Sequence, residues 1–353
     1  MKRVLASILI SIGMHGIIIN ASYSSYRIKV DDQNWSRSYE ILFSEKEQKR
    51  HGRLDEVYVE KIGIPSGTQL VFGWNAHRPE TGQFTFFIRT RNARDRQWSS
   101  FHKVIEWGGT RQTSFSNTAE FSKFLYARLE IDKGTEIDGF GIKIIANEPK
   151  LLGLVGGVFV TVSDFNAFIP EKIPTTFFKK DYICVENVPV VSQILLMHPR
   201  SSGLCSPTSS AIKTSALVQK PVDALEFADY CYDPGLDIFG NWPFSTAHAY
   251  EHAHEYAYVY PMRLVSISAL YDLIEKEESP IVVSVKGTIK GAAKPYPKGH
   301  LLVVIGFDLA RKKIICHDPA FREINKVRCE YDVYDFVQAW ERSHRMTYKV
   351  IRK

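Results

Sequence analysis

The 353-residue chain has only five cysteines, Cys184, Cys205, Cys231, Cys316 and Cys329, and none forms a C-x-x-C pair or takes zinc-like spacing. This excludes a dense disulfide framework and a thiolate metal site. Being odd, the count leaves at least one thiol unpaired in an exported chain. There is no block of five or six like charges, no internal repeat, no low-complexity tract, no H-E-x-x-H and no Gly-rich phosphate loop. Charged tails, repeat architectures and metalloprotease chemistry are therefore set aside. After the first twenty or so residues, no segment is long and apolar enough to cross a membrane.

What remains is the composition of a folded protein. Hydrophobic residues make up 44% and aromatics 12%, enough for a substantial core. The length fits two domains of about 150 residues each. The formal charge of +6 is spread along the chain, which gives a mild attraction to anionic surfaces. With no recognition motif beside it, nucleic acid is not an expected partner.

At the N-terminus, Lys2 and Arg3 precede an apolar stretch from Val4 to Ile19, and Ala21 stands before a candidate cleavage point. Residues 1–21 read as a secretory signal peptide. An uncleaved anchor is the alternative, since the stretch is near the lower limit of about 17 residues for a span. The expected location is secreted or extracytoplasmic, with no stable membrane span once the signal is removed.

Residues 25–163 are expected to form an all-β sandwich. Short strand-like runs occur at Gln69–Trp74, Phe84–Arg89, Tyr126–Ile131 and Phe140–Ile145, with a further apolar run from Gly153 to Val162. Residues 164–182, with Pro170 and Pro174, read as a linker. The pattern then changes. Helices are expected at Thr208–Val218, Val222–Tyr230, Phe244–Tyr256 and Ser268–Glu277. Strands are expected at Ile281–Val285, His300–Phe307, Ile314–His317 and Lys326–Glu330, then a helix at Tyr334–Ser343 and a last strand at Thr347–Ile351. Helices followed by an antiparallel sheet make residues 183–353 an α+β domain. A fragment from about residue 178 is expected to fold by itself.

Chemistry concentrates in this second half. In Cys205-Ser206-Pro207-Thr208-Ser209 the thiol stands just before a helix, with Ser206 as the expected cap and Pro207 as the first helical residue. The helix dipole and unpaired amides there favour thiolate. His300 opens a nearly continuous apolar strand. If the polar turn between Phe307 and Lys313 centres near Leu309, Asp318 lies across from His300 and can orient its imidazole. Cysteine, histidine and carboxylate can supply a nucleophile, its base and the group that steadies the base.

These residues, with Val188-Pro189, Ser192-Gln193, Gly240-Asn241-Trp242-Pro243-Phe244, Ser284-Val285, Gly299-His300-Leu301 and His317-Asp318-Pro319, resemble the secreted C39-like branch of the papain-like cysteine peptidases. The likeness spans about residues 185–350. It implies a papain-like fold with Cys205 as nucleophile, His300 as base, Asp318 as orienter and Gln193 as oxyanion donor. Twelve positions separate Gln193 from Cys205, more than such enzymes usually show, and a loop through Arg200–Gly203 is expected to absorb the excess. Leader processing during export is not implied.

The expected function is hydrolysis of a peptide or isopeptide bond, with a peptide or protein substrate and no metal or organic cofactor. Two other readings stay open: an amidase or transpeptidase acting on cell-wall peptide through the same residues, and an inactive peptidase-like binding protein. His248 and His252, four apart on one helix face with His254 nearby, read as packing rather than as metal ligands. Trp74, Trp98 and Trp107 read as core rather than as a carbohydrate platform. If the export signal is correctly placed, N-terminal sequencing of extracytoplasmic protein finds a mature chain beginning near Ser22. Met1 intact on a soluble cytosolic protein contradicts it.

Overall fold

The computed structural model describes residues 27–33, 35–109, 111–171 and 179–353. The expected signal peptide and the middle of the expected linker lie outside them. The described chain is mixed α/β, with three antiparallel sheets and helices that fall mostly in its second half.

The first half forms two sheets. One has seven strands in the order Arg27–Gln33, Ser36–Leu42, Val155–Ser163, Gln69–Ala76, Arg128–Ile131, Ser122–Leu125, Asn117–Ala119. The other has five: Glu56–Ile62, Ile137–Ala146, Gln83–Asn92, His102–Gly108, Gln112–Ser114. Alternation along Gln83–Asn92 buries Phe84, Phe86 and Ile88 on one face. They join Leu70, Phe72 and Trp74 of the first sheet in one apolar cluster. Trp74 and Trp107 are fully buried there, edge to face with centroids 5.5 Å apart. Trp98 is half-buried and stacks under Arg89. The polar segment before residue 50 forms two strands and a short helix, Glu45–His51, closed by a reciprocal Ser44–Glu47 capping box.

The second half builds one seven-stranded sheet. Six strands run in the order Ala257–Arg263, Met346–Arg352, Ile281–Gly287, Tyr296–Asp308, Lys313–His317, Arg328–Asp332, and Tyr182–Cys184 pairs with Tyr296–Asp308 as well. The strand Ala257–Arg263 was not apparent in the sequence, because Pro261 argues against a strand. It lies at the sheet edge, where a missing N–H is tolerated. Helix Cys205–Val218 packs on one face, with Ile212 against Val282, Leu301, Val303 and Ile305. Helices Ile267–Glu277 and Val333–Glu341 cover the other, where Leu270, Ile274, Phe336 and Trp340 meet Val283, Leu302 and Val304.

The two halves are not loosely strung. Phe244 of the second half inserts into the core of the first, edge-on to Trp74 at 5.9 Å. Phe159 stacks on Tyr260 at 4.4 Å. Asn75 reaches across with both amide atoms, donating to the Val259 carbonyl and accepting from its N–H at 2.7 and 2.8 Å. A Cβ at Gly73 would lie 2.9 Å from Pro261, so the strands approach closely only because position 73 has no side chain. Glu171 accepts from the Ile267 amide at 2.7 Å, pinning the start of the expected linker to the second half. This shared packing runs against the expected autonomy of a fragment from residue 178, which would expose Phe244 and Tyr260 to water. Phe244→Ala should cost the whole chain about 3–5 kcal/mol, read as one shifted urea transition reported from both halves. Two separate transitions, only one of them moved, would contradict a shared core.

Candidate functional site

Helix Cys205–Val218 begins at Cys205 itself, with Leu204 as its cap and no side-chain cap bond. The expected cap, Ser206, lies inside the first turn together with Pro207. The reason is burial: the Ser206 hydroxyl is enclosed and must bond to what encloses it. It sits 2.9 Å from both Ser245 Oγ and Tyr348 Oη. Residues 206–215 of this helix are all buried, and all but Pro207, Ile212 and Lys213 are Ser, Thr or Ala. Ser209 donates to the Leu301 carbonyl at 3.0 Å and Lys213 to the Tyr348 carbonyl, so the helix is tied to two strands of the sheet. Cys205 thus stays on the first turn, half-buried, where amides have no intrahelical partner.

His300 lies near the start of the long strand Tyr296–Asp308, its side chain buried. Its Nε2 is 2.8 Å from Asp318 Oδ1. The imidazole also bears on the Cys205 thiol, whose pKa it lowers. The contact does not arise as the sequence suggested. Val303 pairs with His317 and Val304 with Cys316, and the ladder then slips by one residue before Gly306. The turn centres between Ala310 and Arg311 rather than near Leu309, and the bulge brings Asp318, just past its strand, back from Val303 to a place beside Leu302, from which it reaches His300 diagonally, a separation still within side-chain reach.

The Asp318 carboxylate is fully buried and saturated. Oδ1 also accepts from the Ala320 amide at 2.9 Å, and Oδ2 accepts from the hydroxyls of Tyr296 and Tyr331, each at 2.7 Å. The Tyr296 ring stacks on the imidazole, with centroids 4.1 Å apart and planes 16° from parallel. Sequence reasoning missed both tyrosines. Position 296 precedes His300 by four, the same face of a strand, which was the available signal for it.

Burial would raise the Cys205 thiol, but the hydrogen bond and positive charge of His300, with amides at Leu301 and Ser206, bring it below its ordinary value. Burial likewise opposes an imidazolium at His300, and the Asp318 charge and hydrogen bond overcome it and raise the pKa. Asp318 is lowered in turn, its burial outweighed by His300, Tyr331 and the Ala320 amide. The arrangement favours thiolate, imidazolium and carboxylate side by side. The depressed carboxylate stabilises the fold above pH 3.8 and loses that contribution on acidification below it. The raised imidazole contributes fully below 6.5 and fades as pH rises through its shifted value.

His317 is held differently. Its Nδ1 is 2.8 Å from the Pro189 carbonyl. Burial, opposed by that bond and aided by Arg328, pushes its pKa down to about 4, so it is neutral near pH 7. Gln193 is buried in the segment this histidine anchors. The Gln193 amide donates to Pro319 O at 2.9 Å, and Ser192 Oγ to Phe321 O at 2.6 Å. Between Gln193 and Cys205 the chain makes two 3₁₀ turns, Gln193–Leu195 and Ser201–Gly203, which take up the long spacing. Gln193 Nε2 spends one N–H on the Ser201 carbonyl at 2.9 Å and keeps a second, while its Oε1 has no partner among the described residues.

The discounted histidines are packed. His248 contacts Glu251 at 2.7 Å and stacks on Tyr230, and His252 stacks on Phe227. All five cysteines are free thiols, with Cys316 directly across from Cys329.

Residues 185–348 match the model of the Peptidase C39 like family. Among curated proteins and among solved structures nothing matches.

With the thiolate held by His300, alkylation of Cys205 by iodoacetamide, followed by mass spectrometry across pH, should have its midpoint below that of an ordinary thiol. His300→Ala should move that midpoint upward, because burial is then opposed only by the Leu301 and Ser206 amides. An unchanged midpoint would show that the imidazole does not set the thiol.

Proposed function

Because residues 185–348 belong to the peptidase C39-like family, we propose that the chain is an exported cysteine peptidase-type hydrolase that cleaves a peptide or isopeptide bond. On this reading residues 183–353 form a papain-like domain and residues 25–163 an accessory β-sandwich. The observation that carries it is one imidazole held between a thiol and a saturated carboxylate.

The Cys205 thiolate attacks the substrate carbonyl carbon. Charge on the resulting oxyanion is met by the free N–H of Gln193 and by amides of the first helical turn. The C–N bond breaks as imidazolium His300 gives its proton to the leaving amine, and an acyl thioester remains on Cys205. His300, now neutral, takes a proton from water, and the hydroxide oxygen attacks the thioester carbon. The C–S bond breaks and the thiolate–imidazolium pair returns. Asp318 does no bond-making. It holds Nε2–H, so that Nδ1 faces the sulfur throughout.

The test is a peptide-library digest with kcat/KM measured on whatever is cleaved. Cys205→Ala removes turnover. His300→Ala lowers it by about 10²–10⁴-fold. His317→Gln, which keeps a donor for Pro189, retains most activity. Asp318→Asn, which keeps the two tyrosine hydroxyls partnered, falls between. An inactive His317→Gln beside an active His300→Ala would overturn the assignment.

A further inference from the structure

The two segments that carry Cys205 and His300 contain no carboxylates of their own. No Asp or Glu stands between Glu186 and Asp223, or between Glu278 and Asp308. In the second segment the basic residues are Lys286, Lys290, Lys294 and Lys298, all exposed, and none is ion-paired among the described residues. Two of them frame His300. Lys298 is two residues before it, and Lys286 follows Val285, its direct cross-strand partner. The hairpin that bears them is fixed at its root. Gly287 pairs with Tyr296, and Ile289 and Tyr296 are buried. Tyr296 stacks on His300 itself. The lysines are therefore displayed on an anchored element.

Further cations converge on the same end of the sheet. Arg342 is exposed and donates to the Lys286 carbonyl at 3.4 Å. Arg128 comes from the first half of the chain, lies over the Trp242 ring at 5.7 Å, and is partly offset by Glu130 at 3.2 Å. Trp242 packs in the same apolar cluster as Cys205. His344 registers the sum. Burial, then Arg263, Arg128 and Lys286, push its pKa down to about 4, with no carboxylate acting against them.

Resting on the proposed hydrolase reading, we infer that the site takes an acidic peptide, whose Asp or Glu side chains flank the scissile bond and lie against Lys286, Lys298 and Arg342. Lys286 and Lys298 have no ion pair among the described residues to be broken on binding, and their field draws an anionic chain toward the site.

The test separates binding from turnover. Full-length Cys205→Ala protein is titrated with a fluorescent Glu-rich peptide and with its Gln counterpart, by anisotropy at about 0.02 M and about 0.2 M salt. The acidic peptide should bind about tenfold more tightly at low salt, with the advantage shrinking at high salt. Lys286→Glu/Lys298→Glu should abolish the preference. Equal binding of the two peptides, or a preference unchanged in the double variant, overturns the inference. So does capture by vesicles of anionic lipid that the double variant loses while the peptides are not told apart. Active protein that cleaves both peptides equally through Cys205 defeats this inference and leaves the hydrolase reading standing. Selective binding without Cys205-dependent cleavage does the reverse.

Discussion

The chemistry of the second half depends on one buried negative charge. Asp318 has no solvent and four donors: an imidazole, two tyrosine hydroxyls and a backbone amide. A carboxylate out of water is tolerable only when its oxygens are filled. Once they are, the charge cannot move, and His300 must keep Nε2 toward it. The imidazole so fixed bears on Cys205. The thiol follows, because an adjacent imidazolium and the first helical turn outweigh its burial. Each step constrains the next, from carboxylate to sulfur.

The first half bears on this arrangement through packing. Phe244 docks beside Trp74 and fixes helix Trp242–Ala253. Ser245 of that helix touches Ser206, next to the thiol. The Ser114 amide and hydroxyl both donate to buried Asp233, which also accepts from Asn241, the cap of the same helix. The two sheets thus act on the Cys205 helix through one intermediate element.

Much of the site was legible in the sequence because its signals are local. A cysteine before a buried helix, a histidine opening an apolar strand and an Asp-Pro after the next strand each occupy a few consecutive residues. The register joining them was not legible, because the polar run 308–313 does not say where its turn centres, and the ladder sets it between Ala310 and Arg311 rather than near Leu309. Tyr296 and Tyr331 read as ordinary core aromatics, since only the folded sheet brings their hydroxyls to Asp318. The helix cap was misplaced by two residues because Ser-Pro is a strong start signal, and the enclosed Ser206 hydroxyl is claimed by Ser245 and Tyr348 instead. Strand Ala257–Arg263 was hidden by Pro261, and the coupling of the halves by aromatics that look alike whichever core they join.

The central claim is that Cys205 carries the acyl group. The most direct measurement is acid quenching of the full-length protein during turnover of a peptide pool, then intact-mass and peptide-level mass spectrometry. The account predicts a hydroxylamine-labile adduct on the peptide containing Cys205, absent from Cys205→Ala. Cleavage that proceeds with Cys205 unmodified, or with an adduct on another cysteine, would contradict it.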